Sequence, residues 1–170
     1  SNGSVIPLFK KQIETGGPIS VTHKDITRFF MTIPEACQLV LEAGIMGSGG
    51  EIYVFDMGGS VKIYDVAIKM IQLSGLKFPE DIDIKISGLR PGEKLYEELL
   101  ANDENTLPTY HEKIMIAKVA ELNTEQIKQQ IEGICCASNQ VSNLELVTQI
   151  KKLVPEYISN NSVYEKLDKN

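Results

Sequence analysis

Val5, Ile6, Phe9 and Ile13 recur at helical spacing near the start of the chain, with Lys10, Lys11, Gln12 and Glu14 on the other side. The pattern predicts an amphipathic helix. Ser4 stands where an N-cap is expected, Pro7 falls in the first turn where its missing N–H does no harm, and Gly16-Gly17-Pro18 ends the run. Ile19 to Thr22 then reads as a short strand and Arg28 to Thr32 as a second extended piece, with the polar turn His23-Lys24-Asp25 between them. A second helix opens at Pro34, carries Ala36, Leu39, Val40 and Ala43 on its apolar face, and closes at Gly44. Gly44 to Gly50 is a loop by composition.

Glu51 to Asp56 alternates and is rich in strand formers, and Met57-Gly58-Gly59-Ser60 turns the chain. Ile63, Val66, Ala67, Met70 and Ile71 mark a third helix that ends at Ser74-Gly75. Ile82, Ile84 and Ile86 alternate with Asp83, Lys85 and Ser87, which predicts another strand. A turn at Pro91-Gly92 is expected to start a helix running from Glu93 to about Leu100. Lys113 to Ala117 reads as a further strand. Thr124 to about Ile134 and Asn143 to Val154 read as amphipathic helices, capped at Thr124 and at either Ser142 or Asn143. The last fifteen residues are polar and are expected to fray. Strands interleaved with helices predict an α/β fold with a small mixed sheet.

Composition narrows the choice of partners. A chain of 170 residues, 42% hydrophobic and 24% charged, is large enough for one main core or two small adjoining ones. The net charge of -6 argues against broad nucleic-acid binding, which needs a basic face to replace counterions. Cys37, Cys135 and Cys136 make no C-x-x-C pair and lie in apolar helical contexts, so they read as buried thiols in a reducing, cytoplasmic setting. No run approaches the roughly 18 apolar residues of a membrane span, and no signal peptide is visible, so the chain as given reads as soluble. It lacks an initiator methionine and begins almost inside a helix. A piece cut from a longer protein is the expectation, with Ser1-Asn2 as a cloning scar the alternative.

Glycine-rich stretches are the first candidates for chemistry. A dinucleotide fingerprint needs strand, then G-x-G-x-x-G, then helix. G-I-M-G-S-G-G follows a helix, and D-M-G-G-S has only two adjacent glycines, so both read as structural turns. Neither a P-loop nor a G-x-S-x-G elbow is present. His23 and His111 have no nucleophile or carboxylate at a telling offset, and Tyr110 with Lys113 misses the Y-x-x-x-K spacing by one. The sequence therefore offers no catalytic core and no metal ligand set.

Anion-capable groups are better represented. Gly3-Ser4-Val5 opens a helix whose free first-turn N–H groups attract phosphate. Arg28 and Arg90 are the chain's two arginines, against fifteen lysines, which suits bidentate recognition of a phosphate or carboxylate. Two internal salt bridges are the alternative reading. Arg90 follows a strand, at the end where open α/β sheets bind ligands. Glu93 could offset a helix macrodipole or accept hydrogen bonds from vicinal hydroxyls.

G-S-V-I-P-L-F-K-K-Q-I, V-T-H-K-D-I-T-R-F-F-M-T-I-P-E-A and G-L-R-P-G-E-K-L-Y-E-E-L occur in that order and spacing. Together they resemble the C-terminal substrate-binding part of CapD-type polysaccharide-biosynthesis proteins, which are nucleoside-diphosphate-sugar dehydratases and epimerases of the extended short-chain dehydrogenase/reductase class. The resemblance is dense from Ser1 to about Ala117 and weaker beyond. It implies a nucleotide-sugar-binding part over residues 1–120, a helical extension over 121–156 and a frayed tail over 157–170. In the family an N-terminal Rossmann domain holds NAD(P) and carries the catalytic residues. The resemblance therefore implies no cofactor in this chain, NAD(P) in the parent, and an inactive isolated piece.

Carried over position by position, the diphosphate contacts fall on Gly3, Ser4, Val5, Arg28 and Arg90, and the ribose contact on Glu93. The strand Ile19 to Thr22 would pass the uracil. The implied partners are a UDP-sugar, with UDP-N-acetylglucosamine foremost, the missing Rossmann domain and, in the parent, further copies of itself. The implied reaction is 4,6-dehydration for capsule or surface glycan. A C4 or C5 epimerase stays open, as does a noncatalytic α/β interaction module. Family members of this kind often carry membrane helices ahead of the catalytic part, which leaves anchorage of the parent at the cytoplasmic face of a membrane open.

Overall fold

The computed structural model describes residues 4–97, 105–119 and 123–168. The chain divides into two units, one comprising Ser1–Leu89 and Lys94–Lys118, the other Arg90–Glu93 and Val119–Asn170. It is a mixed α/β protein of short sheets and helices, as the alternation of patterns predicts.

In the first unit, α1 (Val5–Glu14) leads into β1 (Ile19–Val21) and β2 (Thr27–Arg28), followed by α2 (Ile33–Met46), β3 (Tyr53–Phe55) and β4 (Val61–Lys62). The unit continues with α3 (Ile63–Leu73), β5 (Ile84–Ile86), β6 (Thr106–Pro108) and β7 (Ile114–Ala117). β1 lies parallel to β5 with Ile19 opposite Ile84 and Val21 opposite Ile86. β2 and β4 are antiparallel, while β7 sits between β3 and β6 in a three-stranded antiparallel sheet.

Helical spacing decides what these elements bury. Phe9 and Ile13 of α1, and Ile63, Ala67 and Ile71 of α3, each lie one turn apart and meet Ile19, Val21, Ile82 and Ile84 in the main core. Each fully buried isoleucine contributes about 1.5–3 kcal/mol relative to exposure. A smaller cluster joins Leu39 and Ala43 of α2 to Ile114 of β7. The opposite side of α2 is also apolar, yet Ile33, Val40, Leu41 and Ile45 are exposed.

Three expectations need correction. The extended run that begins at Arg28 pairs only through Arg28, after which the chain turns into α2, where the Thr32 hydroxyl accepts the Glu35 N–H at 3.4 Å. The helix expected from Glu93 is not formed over residues 93–97, and residues 98–100 lie outside those described. Instead the Leu95 carbonyl accepts the Thr27 N–H at 3.1 Å, and Leu95 is partly buried against the main core. A tertiary contact has overridden the local helix signal. Finally, all three cysteines are exposed rather than buried.

The second unit contains α4 (Thr124–Ala137) and α5 (Asn143–Leu153). Asn123, rather than Thr124, caps α4 by accepting the Gln126 N–H. Ser142 and Glu145 form a reciprocal capping box on α5. Neither helix buries a residue fully, which is why Cys135 and Cys136 remain accessible. A single 3-10 turn, Glu165–Leu167, follows. No helix among the described residues is long and apolar enough to cross a membrane.

Candidate functional site

Gly3 lies outside the described residues. Ser4 occupies the N-cap of α1 in extended geometry, but its side chain makes no capping hydrogen bond, and Val5 is the first helical residue. With Pro7 in the first turn contributing no N–H, the α1 start presents backbone donors that no side-chain oxygen caps. In β1, Ile19 and Val21 point into the core, so Ser20 and Thr22 carry whatever polar contact this strand can make.

Arg28 ends β2, opposite Val61. Its side chain is 24% exposed, with Nε 3.4 Å from a carboxylate oxygen of Glu97. Nη1 donates to the Thr27 carbonyl at 2.7 Å. The Thr27 carbonyl and the Glu97 carboxylate thus both help to orient the guanidinium. Next to it in the sheet, Lys62 pairs with Asp25 at 3.2 Å.

Arg90 to Glu93 lie in the second unit and form a tight turn. The Glu93 N–H donates to the Arg90 carbonyl at 2.9 Å, Pro91 and Gly92 occupy the two central positions, and Gly92 has φ 79°. Proline followed by a left-handed glycine is the chemistry of a type II turn. A Glu93 carboxylate oxygen accepts the Arg90 N–H at 2.9 Å, so the side chain folds back over the turn. The Arg90 side chain is exposed and has no hydrogen-bond or ion-pair partner among the described residues.

The sequence reading missed the tail. The Gly92 N–H donates to the Asn160 carbonyl at 2.7 Å, and Asn161 Nδ2 donates to the Glu93 carbonyl, also at 2.7 Å. The one available signal was the Asn-Asn pair, because asparagine tolerates the left-handed conformation that Asn161 adopts at φ 54°.

The remaining candidates stay structural. His23 Nδ1 accepts the Asp25 N–H and His111 Nδ1 accepts the Lys113 N–H, which closes a turn in each case. No group of three or more His, Cys, Asp or Glu side chains able to hold a metal occurs among the described residues. Neither glycine stretch has the order a dinucleotide requires: one follows α2, and the other leads through β4 before α3 begins. A cavity of about 310 Å³ lined by Gln130, Ile134, Gln149 and Leu153 lies between α4 and α5. A second, of about 500 Å³, is lined by Lys151, Tyr157, Lys166 and Asp168. Neither is lined by Arg90 or Glu93.

Residues 1–119 match the family model described as "Polysaccharide biosynthesis protein". Over 119 residues the chain is 60% identical to the capsular polysaccharide biosynthesis protein CapD of Staphylococcus aureus, an alignment covering 70% of this chain and 20% of CapD. Over 104 residues it is 38% identical to a UDP-glucose 4-epimerase of Rickettsia rickettsii, covering 61% of this chain and 29% of the epimerase. Among solved structures, it resembles Pen from Bacillus thuringiensis with a TM-score of 0.58 and 30% identity, over 78% of this chain and 46% of Pen. The matched region thus spans about a fifth of CapD and under a third of the epimerase.

Proposed function

Because the chain belongs to the polysaccharide biosynthesis protein family, we propose that it is the nucleotide-binding portion of a nucleotide-sugar 4,6-dehydratase or epimerase. Its ligand is a UDP-sugar, with UDP-N-acetylglucosamine the foremost candidate, in capsule or surface-glycan synthesis. Arg90 takes the diphosphate and Glu93 the ribose hydroxyls; Arg28 and the backbone donors at Gly3, Ser4 and Val5, the other candidate diphosphate contacts, belong to the first unit. The chemistry and the NAD(P) belong to the longer parent, so the isolated chain binds without turning over.

One observation carries this reading: an exposed guanidinium with no partner among the described residues stands on a turn whose backbone donors are already satisfied within the molecule. A planar fork in that setting is suited to two oxygens of a phosphate. The sequence similarity to a UDP-glucose 4-epimerase supports a nucleotide-sugar ligand. Calorimetric titration of the 170-residue chain with UDP and with uridine tests the proposal. UDP should bind and uridine, which lacks the diphosphate, should bind at least tenfold more weakly, with Arg90→Ala removing most of the difference. Equal affinity of wild type and Arg90→Ala for UDP would overturn it.

The Arg28–Glu97 pair favours a second reading for Arg28 alone, as a structural salt bridge within the first unit. On that reading Arg28→Ala lowers stability and leaves UDP affinity unchanged.

A further inference from the structure

The Arg90–Glu93 turn is held by residues far away in sequence. Every backbone N–H in it has an acceptor: Arg90 donates to the Glu93 carboxylate, Pro91 has no N–H, Gly92 donates to Asn160, and Glu93 donates to Arg90. The Gly92 donor is the one that a type II turn leaves pointing outward. Its acceptor comes from the tail, and the turn's exit carbonyl, on Glu93, is taken by the Asn161 amide.

The tail is itself anchored. Ser159 is 2% exposed, and its N–H donates to both carboxylate oxygens of Asp168, at 3.1 and 3.0 Å. Asp168 also pairs with Lys151 of α5. Asn161 is the only non-glycine residue with positive φ among the described residues, and that conformation accompanies the hydrogen bond from its amide to Glu93. A helix, an aspartate, a buried serine and two asparagines thus form a continuous connection to the turn.

We infer that Asn160 and Asn161 are positioning residues for the nucleotide-binding turn, with Asp168 holding them in place. The inference rests on the reading that Arg90 and Glu93 contact the nucleotide. A short exposed turn closed by one backbone bond interconverts readily, and many turns lack even that bond. Tying its outward donor and its exit carbonyl fixes the peptide planes that aim Arg90 and Glu93. Ordering done in advance is not charged against binding.

The test uses the whole 170-residue chain and the variant Asn161→Gly, which keeps the left-handed backbone and deletes the amide donor. Amide exchange followed by NMR should speed up at Gly92 by about three- to tenfold, the range expected for loss of one net hydrogen bond. The Ala67 and Ile71 amides in α3 should be unchanged. The UDP dissociation constant should rise by a similar factor, and in an Arg90→Ala background Asn161→Gly should add less than it does in wild type, because only the Glu93 contact is then left to misplace. Unchanged exchange at Gly92 overturns the clasp. Faster exchange with UDP affinity within twofold of wild type overturns the positioning role and leaves the nucleotide reading intact. If wild type takes up no UDP, or Arg90→Ala does not weaken it, the nucleotide reading itself fails and the positioning role with it.

Discussion

Glu93 closes on Arg90 twice, its N–H reaching the Arg90 carbonyl and its carboxylate receiving the Arg90 N–H, both at 2.9 Å. The four-residue turn that carries two of the candidate ligand contacts, Arg90 and Glu93, is therefore closed by its own backbone and by the Glu93 carboxylate. This geometry separates what the turn costs to form from what its side chains can hold.

Gly92→Ala tests the backbone part alone. A methyl group there meets nothing within 4 Å, but φ is 79°. The substitution should lower stability by about 1–2 kcal/mol in chemical denaturation, and Gly92→Asn should recover part of it. A loss below a few tenths of a kcal/mol would mean that the turn is not populated as described.

Gly17 and Gly16 form a matched pair in the first unit. Both have positive φ, but a Cβ on Gly17 would stand 2.9 Å from Ile82 Cγ2, whereas one on Gly16 meets open space. Ile82 is 3% exposed and belongs to the main core, so it has little room to give. Gly17→Ala should cost about 2–4 kcal/mol and Gly16→Ala about 1–2 kcal/mol. Equal losses in denaturant titrations would contradict the close approach.

Removing the acidic neighbour of Arg28 distinguishes its two readings. Glu97→Ala should change stability by about 1 kcal/mol or less, as befits a single partly exposed ion pair. If Arg28 serves the diphosphate, UDP affinity should rise, by up to about two- to fivefold, once the Glu97 carboxylate no longer competes for it. A fall in calorimetric affinity would instead assign Glu97 a supporting role in orienting the guanidinium.

The capping box gives α5 a pH dependence of known sign. The Ser142 backbone N–H and then the Ser142 hydroxyl hold the Glu145 carboxyl below the usual range, and both interactions favour the ionised form. A carboxylate with a lowered folded value contributes stability above its unfolded value and loses it as pH falls through the folded one. Amide exchange along α5 should thus slow less than in wild type as pH rises toward about 4.3, the ordinary glutamate value, when Glu145 is replaced by Gln. Parallel pH profiles, after correction for intrinsic exchange, would remove Glu145 from the account.

How far these features were legible in the sequence depends on the range of the interactions that make them. α1, α2 and α3 bury one stripe each, so Phe9, Ile13, Leu39, Ala67 and Ile71 could be found from spacing alone. The Pro91-Gly92 turn was equally local. β6 was not visible, because Thr106-Leu107-Pro108 has no alternation and exists through its pairing with β7. The expected helix at Glu93 failed for the same reason, with the Leu95 carbonyl bound to Thr27. In α4 the apolar spacing was real but the helix buries no residue fully, so helical periodicity did not translate into buried cysteines. The asparagine clasp left almost no trace, since hydrogen bonds between a polar tail and a distant turn impose no periodicity on either.

The bond from Asn161 to Glu93 spans 68 residues of chain, which makes the clasp the closure of a large loop. The entropy of such closure grows only with the logarithm of loop length, by about 0.6 kcal/mol for each doubling. Insertions in the loops of the intervening chain that leave α5 and its Lys151 in place should therefore disturb the clasp little, while loss of the Asn161 amide removes one of its two bonds.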